Sequence, residues 1–424
     1  MDSVLNSEIV NVPKSYRKQL LPNVSIYVEN ALSRATRRRD PGATENRPQD
    51  FRSSQQYAKM LSVSLLAIPP SEMKMFRRRM LSWFAKCKRD LPWRRTSDPY
   101  RIWISEIMLQ QTRVAAAIPY YERFLAKFPT VEALARARTE TVLGRWAGLG
   151  YYSRARNLHR AAKEIVTRHE GRFPAGHDDA LALPGIGNYT AAAVLSIAYG
   201  QPLAVLDGNV ARVIARLGAV RVDLRSPSVW QTLGSAAQDL LERRAPGDWN
   251  QAMMELGATI CEPKSPRCEE CPVAKWCQAH KLGIAGELPV ARKKRATVKV
   301  TIAAVVLLNP QGDTLLVRQL DSDGDLFSRM WQFPAVEIVS DASAELAKYL
   351  RSKFNFAVNG NMIALANDRH AVTYRDIRLA PFLISVDRLP RVAESRTVSF
   401  SQLGKLPISN ATRKIADAAR ARFQ

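Results

Sequence analysis

Four of the chain's five cysteines, Cys261, Cys268, Cys271 and Cys277, fall within 17 consecutive residues, and only Cys87 lies elsewhere. Chance burial is a poor explanation at that density. A disulfide framework belongs to small secreted domains, whereas this chain runs to 424 residues. Four thiolates can bind zinc tetrahedrally or hold an iron–sulfur cubane. Zinc ribbons use two close pairs on separate turns, but the spacing here is an uneven 6-2-5. That pattern wraps one compact loop, 261–277, around a single bulky centre. It favours a [4Fe–4S] cluster whose role is mainly structural.

Charge narrows the partner. Lys and Arg number 63 against 39 Asp and Glu, leaving +24 and a pI near 10.2. The basic residues are spread along the whole chain, so a basic tail does not account for them. An excess of this size suits a polyanion, because Lys and Arg that neutralise phosphates release condensed counterions. No apolar run approaches the roughly 20 residues needed to span a bilayer. No secretory signal is readable at the start, and no long basic amphipathic helix points to a membrane surface. Nucleic acid is the expected partner, met inside the cell and without a membrane.

Residues 1–70 read as a poorly structured extension, with the run Arg37-Arg38-Arg39 and a polar stretch to Gln56; Met73 or Met75 could equally be the natural start. Residues 71–280 read as all-helical. Ser105–Ile118, Val131–Arg138, Ser153–His169, Thr190–Tyr199 and Asn209–Leu217 carry apolar residues at three- and four-residue spacing, punctuated by Gly and Pro. A basic linker, 281–297, contains Arg292-Lys293-Lys294-Arg295. Beyond it the period shortens. Val298–Leu308, Thr314–Arg318 and Val372–Ile384 read as strands, with a helix over Ser343–Phe354 capped by Ser343. Residues 298–424 are therefore expected to form an α+β domain.

Three local patterns carry chemistry. Leu183-Pro184-Gly185-Ile186-Gly187-Asn188-Tyr189-Thr190 opens an Ala-rich helix. Gly185 and Gly187 let the backbone approach a phosphate, and the helix N-terminus offers free N–H donors. A lone GxG is usually an ordinary tight turn, but helical flanks and the basic charge favour a helix–hairpin–helix clamp on DNA. Asp207 precedes the next helix, where an Asp is most often an N-cap. Glu106 falls in the first turn of the Ser105–Ile118 helix, among Ile104, Ile107, Met108 and Leu109. Those neighbours make it a candidate for burial and a raised pKa. Two carboxylates in different environments suit N-glycosidic cleavage: one protonates the leaving base while the other, ionised, stabilises an oxocarbenium-like sugar.

At this point the chain from about residue 73 onward resembles the MutY-type adenine DNA glycosylases of the helix–hairpin–helix, endonuclease-III-like superfamily. The resemblance rests on LPWRR (Leu91–Arg95), WISEIMLQQTRV (Trp103–Val114), GLGYYSRARNLH (Gly148–His159), LPGIGNYTAAAVLSIAYG (Leu183–Gly200), LDGNVARV (Leu206–Val213) and NQAMMELGATIC (Asn250–Cys261), together with the cysteine spacing. It implies that Glu106 is the general acid toward adenine N7 and that Asp207 stabilises the sugar cation, with Tyr189 and Asn209 in support. It implies Gln111 and Tyr151 as side chains inserted into the duplex, and Trp93, Arg94 and Leu109 as the pocket for the extruded base. On sequence alone, Trp93 and Tyr151 would be plain core aromatics.

Bifunctional relatives carry a nucleophilic Lys where this chain has Tyr189. An amine there would form a Schiff base and lead to strand cleavage; a phenol cannot, so a monofunctional enzyme is implied. The C-terminal domain resembles the Nudix-like fold that reads 8-oxoguanine in this family. Its helix offers only Glu345, too few carboxylates for the hydrolase signature. The lesion-reading Phe-Ser-His loop of the family aligns with Val372-Thr373-Tyr374, preceded by His370, and Thr373 keeps a hydroxyl donor. The resemblance thus implies a monomer acting in the bacterial cytoplasm on adenine:8-oxoguanine or adenine:guanine mispairs. A mismatch thymine glycosylase, or a non-catalytic Fe–S damage-binding protein, are the alternatives.

Overall fold

The computed structural model describes residues 66, 68–290, 296–318, 330–358, 361–372 and 374–423. Nearly all of the expected N-terminal extension, the basic tetrapeptide of the linker and Thr373 lie outside the described residues.

The first region is helical throughout, as its periodicity predicts. Its helices are α1 (Pro70–Cys87), α2 (Pro99–Leu109), α3 (Val114–Lys127), α4 (Val131–Arg136), α5 (Thr139–Trp146) and α6 (Ser153–Arg168). They continue with α7 (His177–Ala182), α8 (Asn188–Tyr199), α9 (Gly208–Leu217), α10 (Pro227–Leu240), α11 (Pro246–Thr259) and the short α12 (Gln278–Lys281). Boundaries follow capping chemistry. Asp98 caps α2 by accepting from the Tyr100 N–H, with Pro99 at the first helical position. Gly200, in the left-handed region at φ 67°, closes α8.

These caps correct the expectation of one helix over Ser105–Ile118. The helix starts six residues earlier at Pro99 and is broken at Gln110–Arg113. Glu106 consequently stands near the C-terminal end of α2, not in a first turn.

Two hydrophobic clusters share the helical region. Trp103, Phe124 and Trp146 anchor one; Phe76, Trp249 and Trp276 anchor the other. Helix α8 runs between them, with Ala191, Val194 and Leu195 in the first and Ala192 and Ala193 in the second. A helix buried on both sides needs small side chains for close approach, which accounts for its alanine run. Among the described residues no helix is long and apolar enough to cross a membrane.

From residue 298 the chain forms a mixed sheet. Its strands are β1 (Val298–Leu308), β2 (Asp313–Val317), β3 (Ala335–Ile338), β4 (Ile363–Ala364), β5 (Asp368–Val372), β6 (Arg375–Ser385) and β7 (Ser395–Ser399). The order is β4-β6-β1-β2-β7, with β3 on β1 and β5 on β6. The central pair, β1 and β6, is parallel from Val298↔Arg375 to Leu308↔Ser385.

Side chains alternate across β1. Ala303, Val305 and Leu307 meet Leu346 and Leu350 of α13 (Ala342–Phe354), while Ala304 and Val306 share a cluster with Ile415 and Ala419 of α14 (Asn410–Phe423). The sheet is thus covered on both faces, which suits an all-apolar central strand. Two local expectations change. The N-cap of α13 is Asp341, whose Oδ1 accepts from the Ala344 N–H at 2.7 Å, not Ser343. The segment Val372–Ile384 is not one strand: Val372 ends β5 and Arg375 begins β6, paired as a hairpin.

Candidate active site

Helix α2 delivers Glu106 to the floor of a cavity of about 530 Å³, within the range of small-molecule sites. Glu106 is only 5% exposed, and its Oε2 accepts a 2.7 Å hydrogen bond from the Tyr189 hydroxyl at the start of α8. Burial drives its carboxyl up to about 7; the Tyr189 hydroxyl and Arg94 act against the shift, and Asp207 adds to it. A carboxyl of that kind retains a proton close to neutrality.

Asp207 lines the same cavity in a different setting. It caps α9, its Oδ1 accepting from the N–H groups of Asn209 (3.0 Å) and Val210 (2.7 Å), and its Oδ2 from Asn209 Nδ2 (3.0 Å). The N-cap and functional readings of this residue are therefore compatible. Asn209 is held in turn by Arg212, whose Nη2 donates to Asn209 Oδ1 (3.0 Å) and to the Gly257 carbonyl (2.8 Å).

Trp93, Arg94, Leu109 and Gln111 also line the cavity, joining Glu106, Tyr189, Asp207 and Asn209. Trp93 is at once a core aromatic, edge-on to Tyr121 with centroids 5.3 Å apart. Tyr151, Gly185 and Gly187 lie outside the cavity lining. Tyr151 is 46% exposed on the loop before α6. Both Gln111 (φ 59°) and Tyr151 (φ 47°) hold left-handed backbone, a conformation costing a non-glycine residue on the order of 1–3 kcal/mol. Such strain gathers where a side chain is aimed at something.

The two glycines of the hairpin differ. Gly185 has φ 79°, and a Cβ there would meet Asn157 Cβ at 2.7 Å. Gly187 has φ −105°, and an added Cβ would face open space. Only Gly185 is required by the protein's own packing, while Gly187 leaves backbone accessible from outside.

Sequence reasoning missed the cavity's main ion-pair centre. Glu255, fully buried on α11, accepts from Arg89 Nε (2.8 Å), Arg89 Nη2 (2.7 Å) and Arg94 Nη2 (2.8 Å). Burial opposes its charge, but the two guanidiniums and the Arg89 N–H hold its carboxyl down at about 2. Its signal was a lone acid between Met253, Met254 and Leu256.

The cysteine loop follows α11. Arg216 Nη1 donates to Cys261 Sγ at 3.2 Å, and Cys277 Sγ donates to the Arg216 carbonyl at 3.3 Å. Burial pushes the Cys271 thiol up to about 12, with Cys261, Cys277 and Cys268 near enough to reinforce the shift. Among the described residues no three potential ligands converge closely enough to hold a single metal ion. Four sulfur donors on one loop, beside a buried guanidinium, fit a larger sulfur-ligated group.

Comparison with known proteins bears on this geometry. Residues 104–232 match the HhH-GPD superfamily base excision DNA repair protein model. An adenine DNA glycosylase of Buchnera aphidicola subsp. Acyrthosiphon pisum (strain APS) is 32% identical over 321 residues, covering 76% of this chain and 88% of the relative. The chain belongs to the adenine DNA glycosylase family. The human adenine DNA glycosylase is 47% identical over 218 residues, covering 49% of this chain and 40% of the relative. That of Arabidopsis thaliana is 34% identical over 339 residues, covering 68% of this chain and 52% of the relative. The chain spans under half the length of the human, rat and mouse relatives it matches. The family's helical repair module coincides with the stretch that carries Glu106, Tyr189 and Asp207.

Proposed function

We propose that the protein is a monofunctional DNA glycosylase that removes adenine mispaired with 8-oxoguanine or guanine. One observation carries the reading: a buried, proton-retaining Glu106 faces the same cavity as the helix-capping carboxylate of Asp207. The glycosidic bond is out of reach in a duplex, so the adenine must leave the stack and enter the cavity. Trp93, Arg94 and Leu109 flank it there. Glu106 gives its proton to adenine N7, making the base a neutral leaving group. Asp207, held by the α9 N-terminus and Asn209, stabilises the sugar cation from its own position. Glu106, now ionised, accepts a proton from the attacking water, and the Tyr189 hydroxyl steadies it in both states. No lysine stands among the described residues lining the cavity, so no amine is offered for a Schiff base, and the strand stays intact.

Gln111 and Tyr151 fill the space left in the duplex, and the Gly185–Gly187 hairpin grips the backbone. The sheet domain reads the base opposite, with Thr373 the residue assigned to that contact. Cys261, Cys268, Cys271 and Cys277 would hold a [4Fe–4S] cluster, which would tie together the loop that follows α11. The protein works as a monomer in the cytoplasm. Single-turnover assays on adenine:8-oxoguanine, adenine:guanine and thymine:guanine duplexes test the reading. Adenine release from the first two, with strands broken only after alkali, is expected. Thymine release, or direct strand cleavage, would overturn it.

A further inference from the structure

The side chain of Arg154, in the first turn of α6, is unused by the chemistry above yet occupies an unusual position. Its Nη1 donates to the carbonyls of Ile107 (2.8 Å), Met108 (3.1 Å) and Gln110. Its Nη2 lies 3.4 Å from Thr112 Oγ1 and 3.3 Å from each of the Leu149 and Gly150 carbonyls. The guanidinium also packs over the rings of Trp146 (5.4 Å) and Tyr151 (5.5 Å). One planar fork therefore grips three things: the open end of the helix bearing Glu106, the turn bearing Gln111, and the loop bearing Tyr151.

We infer that Arg154 is a positioning residue that fixes the Gln111 and Tyr151 loops to each other, so that both side chains meet DNA as one preset wedge. Three features support this. The Ile107 and Met108 carbonyls belong to the last turn of α2, where a helix leaves acceptors unmet and favours a cation. The two residues to be inserted both sit in left-handed backbone, which persists only where surroundings hold it. Finally, carbonyls from two separate loops converge on one group, which needs the wide donor geometry of arginine; a lysine ammonium is a compact point charge and reaches one loop or the other. Preset geometry removes the ordering cost at the moment of base extrusion.

The inference rests on the adenine-excision reading, and the experiment separates the two. Wild-type, Arg154→Lys and Arg154→Ala proteins are compared on adenine:8-oxoguanine in a regular duplex and in a mismatch bubble where the adenine is already unstacked. Extrusion is followed with 2-aminopurine in place of adenine, and folding by thermal midpoint. Arg154→Lys, which keeps charge and stem, is expected to fold and to lose about 10- to 100-fold in single-turnover rate on the duplex. It should lose much less on the bubble, with a weakened 2-aminopurine signal, and ethylguanidinium should restore part of the Arg154→Ala activity. Equal losses on both substrates, or a loss that tracks thermal midpoint alone, would overturn the positioning role. A wild-type protein that releases no adenine would instead sink the functional reading.

Discussion

In the proposed reaction Glu106 has to hold a proton at a pH where an ordinary glutamate has long since lost it. Burial does this, moving its carboxyl from 4.5 to about 7. In the unfolded chain the group ionises near 4.5, whereas the folded protein keeps the proton until about 7. Folding therefore takes up a proton between these values, and stability falls as pH rises through that window, levelling off above it. The full cost of such a shift is roughly 3 kcal/mol. Glu106→Gln should abolish the slope, so that denaturant titrations at pH 5 and pH 8 show the variant gaining on wild type only at the higher pH. The same substitution should cut excision by about 10²–10⁴-fold or more, and wild-type excision should decline above pH 7 as the acid ionises. Asp207→Asn should be nearly as inactive, although Asn caps helices equally well. An active Asp207→Asn protein would reduce this residue to a cap. Glu106 was legible because its apolar neighbours are adjacent in sequence. Glu255 was not, because Arg89 and Arg94 reach it from 166 and 161 residues away.

At the level of elements, the helix–hairpin–helix between α7 and α8 makes the sharpest test, since its two glycines meet different constraints. Gly185→Ala forces a Cβ into left-handed backbone and against Asn157. It should cost about 1–3 kcal/mol of stability as well as DNA affinity. Gly187→Ala meets neither obstacle, so its stability should match wild type while duplex binding weakens. Urea denaturation and binding at fixed salt distinguish the two; unchanged binding by Gly187→Ala would remove this turn from the DNA interface. The sequence made the hairpin readable because Pro and Gly punctuate it. Helix α2 was misplaced because its start is set by Asp98-Pro99, and its end by a turn at Gln110–Arg113 that lacks both Gly and Pro. An amphipathic run across such a turn looks continuous. Strand β1 was legible end to end, while the β5–β6 hairpin was hidden within a single alternating stretch.

Taken whole, the molecule is joined by contacts that no local pattern announces. Glu140 on α5 pairs with Arg318 (3.6 Å) and Arg396 (3.8 Å) of the sheet region, and the Tyr152 hydroxyl donates to the Ile408 carbonyl at 3.1 Å. The cysteine loop is tied back toward the cavity in the same way: Arg212 Nε donates to the Cys261 carbonyl (2.9 Å) while its Nη2 holds Asn209. Anaerobically purified protein should carry four irons per chain, read by elemental analysis. Cys268→Ser should depress thermal stability and DNA affinity more than the single-turnover rate of bound substrate. Stoichiometric zinc with no iron would overturn the cluster assignment. Arg212 and Arg216 escaped the sequence reading because an arginine pair four apart on a helix reads as a solvated stripe, whereas both are buried.

Glu106 and Gln111, the acid and the inserted side chain of the function proposed above, are five residues apart on one uninterrupted piece of chain, one on α2 and the other on the turn that ends it. A protein that cuts out an undamaged base, as proposed for this one, faces an asymmetric risk, since every mistaken removal creates a lesion where there was none. Were both residues to act as proposed, a displacement of the Gln111 turn by an ill-fitting base pair would also displace the end of the helix that carries Glu106. Such an arrangement would act as an interlock, the residue that tests the pair and the residue that breaks the bond being carried by one continuous segment.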